Sequence, residues 1–188
     1  MKFIKNTVRY RSAQNLVELF LLDFEIKPLT DFEELKTLDF RDDGSDPLGV
    51  HNFAQVRAQS YGRNKLSVIW GVKSGQRLMG FFSVSMSSIQ TKKLEAIEHV
   101  PEAPTIYSYP VVLLGQLGVD REHRHKGTGS MMIKFCIGFA QELSGRIGCR
   151  YVVLQTSHDR TDLYHKLRFI QSSKPPTENK VWMYRKLA

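Results

Sequence analysis

The chain has 188 residues, 27 lysines and arginines against 19 aspartates and glutamates, and a net charge of +8. One domain suits this length, and 41% hydrophobic with 24% charged residues supplies a core and excludes a disordered chain. The apolar stretch 16–22 is broken by Glu18 and followed by Asp23, which excludes a membrane span and argues against a signal peptide. Cys136 and Cys149 form neither a disulfide framework nor a zinc pattern, so a reduced, cytoplasmic protein without a metal is expected.

Residues 12–22 read as a short amphipathic helix, and 23–29 as a strand in which Phe24, Ile26 and Pro28 alternate with Glu25 and Lys27. Thr30-Asp31-Phe32-Glu33 has the spacing of a capping box and predicts a helix that stops before Arg41. Asp46 and Pro47 suit an N-cap and first helical position, opening a helix that runs toward Gly62. The apolar runs 66–72 and 78–86 flank Lys73-Ser74-Gly75-Gln76 and predict a β-hairpin. Residues 90–109, with Pro101 and Pro104, read as a connecting loop, and Pro110 follows them. The near-continuous apolar run 111–119 predicts a central strand covered on both faces. Residues 127–143 carry Met131, Met132, Phe135, Cys136, Phe139, Ala140 and Leu143 at helical spacing. A buried strand at 151–154, a short helix at 159–167 and a closing strand at 181–187 complete a mixed α/β sheet.

The segment richest in chemistry is 117–130, where the central strand ends in Leu117-Gly118-Val119-Asp120 and a glycine loop, Arg124-His125-Lys126-Gly127-Thr128-Gly129-Ser130, opens the helix. Amides at such a junction converge on an anion, and the helix dipole adds about 0.3 to 1 kcal/mol per charge. The ligand is therefore expected to carry phosphate. Neither the GxxxxGK[ST] nor the GxGxxG pattern is present, so the loop is neither a P-loop nor a dinucleotide fingerprint.

Arg124 to Gly129 matches Q/R-x-x-G-x-G/A, and the chain thereby resembles the GNAT superfamily of N-acetyltransferases. Leu117-Gly118-Val119-Asp120 is similar to that family's L-A-V-D strand end, and residues 163–169, which include Tyr164 and Phe169, resemble its F-Y-x-x-x-G-F element. The resemblance covers 23–188 and leaves 1–22 as an N-terminal extension. Leu16, Val17, Leu19 and Phe20 of that extension suit packing on the domain or a partner surface, a homodimer included. The resemblance implies a GNAT fold in which parallel strands 111–119 and 150–156 splay apart to admit acetyl-coenzyme A. It implies pantetheine contacts along Leu117, Gly118 and Val119, pyrophosphate contacts from Arg124 through Ser130, and Tyr164 as the acid that protonates the departing thiolate. Such an acid is worth about 10² to 10⁴ in rate.

Several positions depart from the family pattern. Arg168 stands where a glycine usually precedes the motif phenylalanine, and Ser157 or a neighbour replaces a common asparagine. Strand 111–116 lacks the glutamate that often serves as base, and no base is assigned. An acceptor amine with a pKa of about 8 needs less help than a lysine near about 10.4. The resemblance is greatest to a toxin-type subgroup that acetylates aminoacyl-tRNA, carried by 66–68, 80–89 and Tyr109-Pro110 leading into 114–120. Gln116 stands where that subgroup often has arginine. An aminoacyl-tRNA acceptor fits the missing base and the basic charge. A peptide or small amine, or a non-catalytic module that binds coenzyme A or RNA, stays open, and toxicity does not follow.

The charge is segregated. Residues 1–50 are net −3, 51–90 carry Arg57, Arg63, Lys65, Lys73 and Arg77 with no acid, and 121–150 and 151–188 add +4 each. Solubility and a phosphate-rich ligand both account for this pattern.

Overall fold

The computed structural model describes residues 24–90, 106–172 and 180–188. The expected helix 12–22 and most of the connection 90–109 lie outside the described residues. β1 (Phe24–Pro28) leads to a short α1 (Glu33–Lys36), then α2 (Val50–Asn52), which continues through a π-helical turn (Phe53–Arg57) into α3 (Ala58–Arg63). β2 (Val68–Ser74) and β3 (Arg77–Gln90) form the predicted hairpin, followed by β4 (Ser108–Val119) and the long α4 (Thr128–Ile147). β5 (Tyr151–Ser157), α5 (Thr161–Lys166), β6 (Ile170–Gln171) and β7 (Lys180–Lys186) close the chain. The strands form one sheet in the order β1-β2-β3-β4-β5-β7-β6, antiparallel throughout except for β4 with β5.

Two helix starts differ from expectation. The Thr30 capping box does not form, because the Asp31 carboxylate accepts the Glu33 amide at 2.9 Å and Phe32 takes the N-cap position. Asp46 does cap a helix, but from further upstream: its carboxylate accepts the amides of His51 (3.1 Å) and Asn52 (2.8 Å), while left-handed Gly49 occupies the N-cap. The expected loop is also shorter at its ends, since Gln90, Tyr109 and Pro110 belong to strands.

Alternation along β3 explains its unbroken apolar run. Phe81 joins the layer of α1–α3 with Leu35, Phe53 and Ile69, while Phe82 faces α4 with Met132, Leu114 and Leu154. Both phenylalanines are fully buried, worth about 1.5 to 3 kcal/mol each by area removed from water. Cys136 lies in the α4 layer, where burial pushes its thiol up to about 12; Cys149 is a buried free thiol as well. Neither suits nucleophilic chemistry.

One irregularity in the sheet positions everything that follows. Phe82 pairs with Leu117 but Val84 pairs with Leu114, so Ser83 alone opposes both Gly115 and Gln116. The Ser83 hydroxyl accepts the Gln116 amide at 2.7 Å, and a β-carbon on Gly115 would stand 2.8 Å from that same oxygen. Glycine leaves the room the bulge needs. On its other edge β4 pairs with β5 only from Val111↔Tyr151 to Leu114↔Leu154, although β4 runs on to Val119 and β5 to Ser157. The ladder ends where the bulge begins, and a bulge bends its strand. The parallel strands therefore diverge, as the family resemblance implies.

Candidate active site

Among the described residues the divergence leaves the β5-facing edge of 115–119 without ladder partners, while Leu117, Gly118 and Val119 stay paired to β3 on the other side. Directly beyond, Asp120 is buried; its amide donates to the Met79 carbonyl and its carboxylate accepts the Asp39 amide, both at 2.9 Å. A 3-10 turn (Arg121–His123) then leads into the glycine loop. His125 and Gly127 take left-handed backbone, with φ of +59° and +81°, and nothing lies within 4 Å of where a Gly127 side chain would start. Gly129 sits against Val119 and Leu117, which brings the start of α4 to the open edge of β4. No side chain caps α4 and no acid occupies its first turn. The first intrahelical amide is that of Met131, donating to Gly127 at 3.0 Å. The amides of Thr128, Gly129 and Ser130 thus head a 20-residue helix with no internal acceptor.

Two cations of this loop have partners within the protein. Arg124 donates from Nε to the Val119 carbonyl (3.2 Å) and from Nη1 to Asp42 (2.6 Å), and Lys126 donates to the Glu122 carbonyl (3.0 Å). Arg124 is neutralised by Asp42, whereas Lys126 keeps its charge and further donors; the backbone amides at the head of α4 add uncommitted donors beside it. Asp42 is held out by a tight turn, with Asp43 and Gly44 at positive φ and mutual backbone bonds of 2.8 Å between Asp42 and Ser45. Its other carboxylate oxygen pairs with Arg160 of the turn after β5. One carboxylate therefore ties the ends of both diverging strands. Asp42, Arg160 and Ser83 do not stand out in the sequence, because their partners are distant in the chain; the Asp-Asp-Gly-Ser turn is the one visible signal.

On the β5 side a 3-10 turn (His158–Arg160) precedes α5, whose single buried residue is Tyr164. Its ring meets Phe169 edge-on with centroids 5.8 Å apart. Burial raises the phenol above its ordinary range, opposed by Thr156 and by the positive charge of Arg160. The buried Thr156 hydroxyl adjoins the phenol yet makes no hydrogen bond of good geometry. A phenol held protonated in this way is a proton donor at neutral pH. Ser157 ends β5. Arg168 takes φ +62° just after α5, a left-handed conformation that favours glycine.

The model of the acetyltransferase (GNAT) family matches residues 29–169. This chain belongs to that family. The GNAT chain is 25% identical over 91 residues to the tRNA-acetylating toxin of Mycobacterium tuberculosis (strain ATCC 25618 / H37Rv). That match takes in 47% of the chain and about half, 52%, of the relative's length. AtaT complexed with acetyl-methionyl-tRNAfMet superposes with a TM-score of 0.71 at 19% identity, over 85% of the GNAT chain and 94% of AtaT. AtaTR bound with acetyl-coenzyme A gives 0.69 at 18% identity over 87% and 94%, and a point mutant of KacT gives 0.73 at 17% over 87% and 95%. These structures share its fold. Among the described residues no helix is long and apolar enough to cross a membrane.

Proposed function

We propose that this chain transfers the acetyl group of acetyl-coenzyme A to a primary amine, and that the amine is the α-amino group of an aminoacyl-tRNA. The observation that carries the donor assignment is the uncapped, acid-free start of α4 beside the open edge of β4. In this reading the amides of Gly127 to Ser130 hold the pyrophosphate, with Arg124, His125 and Lys126 shaping the loop around it. The free edge of Leu117, Gly118 and Val119 pairs with the pantetheine amides. The amine nitrogen attacks the thioester carbonyl, the carbon–sulfur bond breaks, and the thiolate takes the proton of Tyr164. The proton lost from nitrogen returns to the phenolate through solvent, so the enzyme is unchanged after each turnover. No metal enters the scheme.

The acceptor assignment rests on charge and on the missing base. Strand 111–116 carries no carboxylate, which favours an amine of pKa about 8 over a lysine. Of the acid-free block, Lys73 pairs with Glu34 at 2.6 Å and Arg77 with Glu122. Arg57, Arg63 and Lys65 remain exposed along α3 and its approaches, with no ion pair among the described residues. Those three suit a phosphate backbone. This reading groups the chain with the aminoacyl-tRNA acetylating subgroup that it resembles, acting in the cytoplasm where charged tRNA is found, and does not by itself imply toxicity.

The test is mass spectrometry of products after incubation with acetyl-coenzyme A and charged tRNA, uncharged tRNA, peptides or polyamines. Acetylation of charged tRNA alone is expected; acetylation confined to peptides or polyamines contradicts the RNA acceptor.

A further inference from the structure

We propose that the shallow cavity between α4 and the turn after α5 is a second phosphate-ester site. It offers about 230 Å³, and among the described residues its lining includes four cations, Lys134, Lys166, Arg168 and Arg185, and no acid. Several cations elsewhere are compensated internally, Lys73 by Glu34, Arg77 by Glu122, Arg124 by Asp42 and Arg146 by Glu142, while Arg57, Arg63 and Lys65, with no ion pair among the described residues, lie outside this cavity. Among the described residues Lys134, Lys166 and Arg168 make no ion pair, and Arg185 donates to the Leu167 carbonyl. Four like charges around one cavity repel one another until an anion joins them.

The backbone supplies an independent observation. Arg168 is the left-handed residue that ends α5: its amide donates to His165 (2.9 Å) and the next amide, of Phe169, to Tyr164 (3.0 Å). Glycine is favoured at that position, yet here a residue with a β-carbon occupies it and its side chain lines the cavity. An outlier of this kind is a functional pointer when it serves a site. Gly138 leaves space in the α4 wall, since nothing lies within 4 Å of where its side chain would start.

The cavity belongs to the layer that carries the cleft. Gly138 is ten residues beyond Thr128, or about 15 Å along α4 from its free amides. Tyr164 is on the other wall's helix. Two ligands of the cleft carry a further phosphate ester: coenzyme A, through its 3′-phosphate, and an acceptor RNA, through its backbone. The second source rests on the acceptor proposed above.

The experiment compares the full chain with Arg168→Gly and with Lys134→Gln/Lys166→Gln. Binding is measured for coenzyme A, 3′-dephospho-coenzyme A and uncharged tRNA. Arg168→Gly keeps the left-handed turn, so it folds. Both variants are expected to lose at least fivefold in affinity for tRNA, or for coenzyme A but not for its dephospho form. The log–log salt dependence of the affected ligand flattens by about one unit for each phosphate charge left unneutralised. Affinities within twofold of the parent for all three ligands overturn the proposal. Equal weakening of dephospho-coenzyme A overturns it too, because the change then acts through the fold. Failure of the acceptor assignment is read separately, from the parent chain acetylating no charged tRNA.

Discussion

After β4 and after β5 the chain repeats one pattern, a 3-10 turn (Arg121–His123 or His158–Arg160) followed by an α-helix (Thr128–Ile147 or Thr161–Lys166), yet the two junctions offer opposite kinds of chemistry. The first presents backbone: a left-handed, unobstructed Gly127 and uncapped amides, with Arg124 and Lys126 turned onto carbonyls and Asp42. The second presents one side chain, the buried phenol of Tyr164. Length explains the difference. A 20-residue helix with uncapped first amides suits an anion, whereas six residues make a shelf for a side chain. Asp42 joins the two through Arg124 and Arg160.

The largest effect is expected from breaking the first junction. Gly127→Glu places a carboxylate in the loop proposed to hold the pyrophosphate, and coenzyme A is expected to lose its thermal stabilisation of the chain entirely. Melting of the free protein falls little, because the cost of left-handed backbone, about 1 to 2 kcal/mol, is partly offset by an anion at a helix N-terminus. A surviving thermal shift removes the loop from the site. The second junction breaks differently. Tyr164→Phe is expected to slow acetyl transfer at least tenfold while coenzyme A affinity stays within twofold, measured by stopped assays and calorimetry. An unchanged rate removes Tyr164 as the acid. Because burial raises the phenol, the parent enzyme keeps this proton through neutral and mildly alkaline pH, and its activity is not expected to fall there through loss of the acid.

The smallest effect sharpens the link between them. Asp42→Asn releases two guanidinium groups beside the loop, so coenzyme A is expected to bind a few-fold more tightly at low salt, with the gain lost at high salt. Equal affinities at low salt show that Arg124 and Arg160 do not reach the ligand.

What the sequence discloses follows the range of the interactions. The strand, glycine loop and helix of 111–147 are local, and periodicity with two glycines suffices to place them. Tyr164 requires a family pattern, because a tyrosine in a short helix reads equally well as core. The bulge is not visible, since it depends on Ser83 opposing Gly115 and Gln116 across 33 residues. Charge misleads in the same way. Residues 51–90 contain no acid, yet Glu34 and Glu122 neutralise two of the five cations from outside that block. Arg124 has the motif position of a phosphate ligand, and its partner Asp42 lies 82 residues away. The Thr30 capping box fails because Asp31, one residue on, reaches the Glu33 amide first.

In the proposed site the pyrophosphate is held chiefly by the backbone amides at the head of α4, which have no internal acceptor. Amide-resolved hydrogen exchange, with and without saturating coenzyme A, tests this most directly. Protection by tenfold or more is predicted at Thr128, Gly129 and Ser130, with a smaller rise at Leu117 and Val119. Unchanged exchange at those helix amides in a chain that demonstrably binds coenzyme A contradicts it.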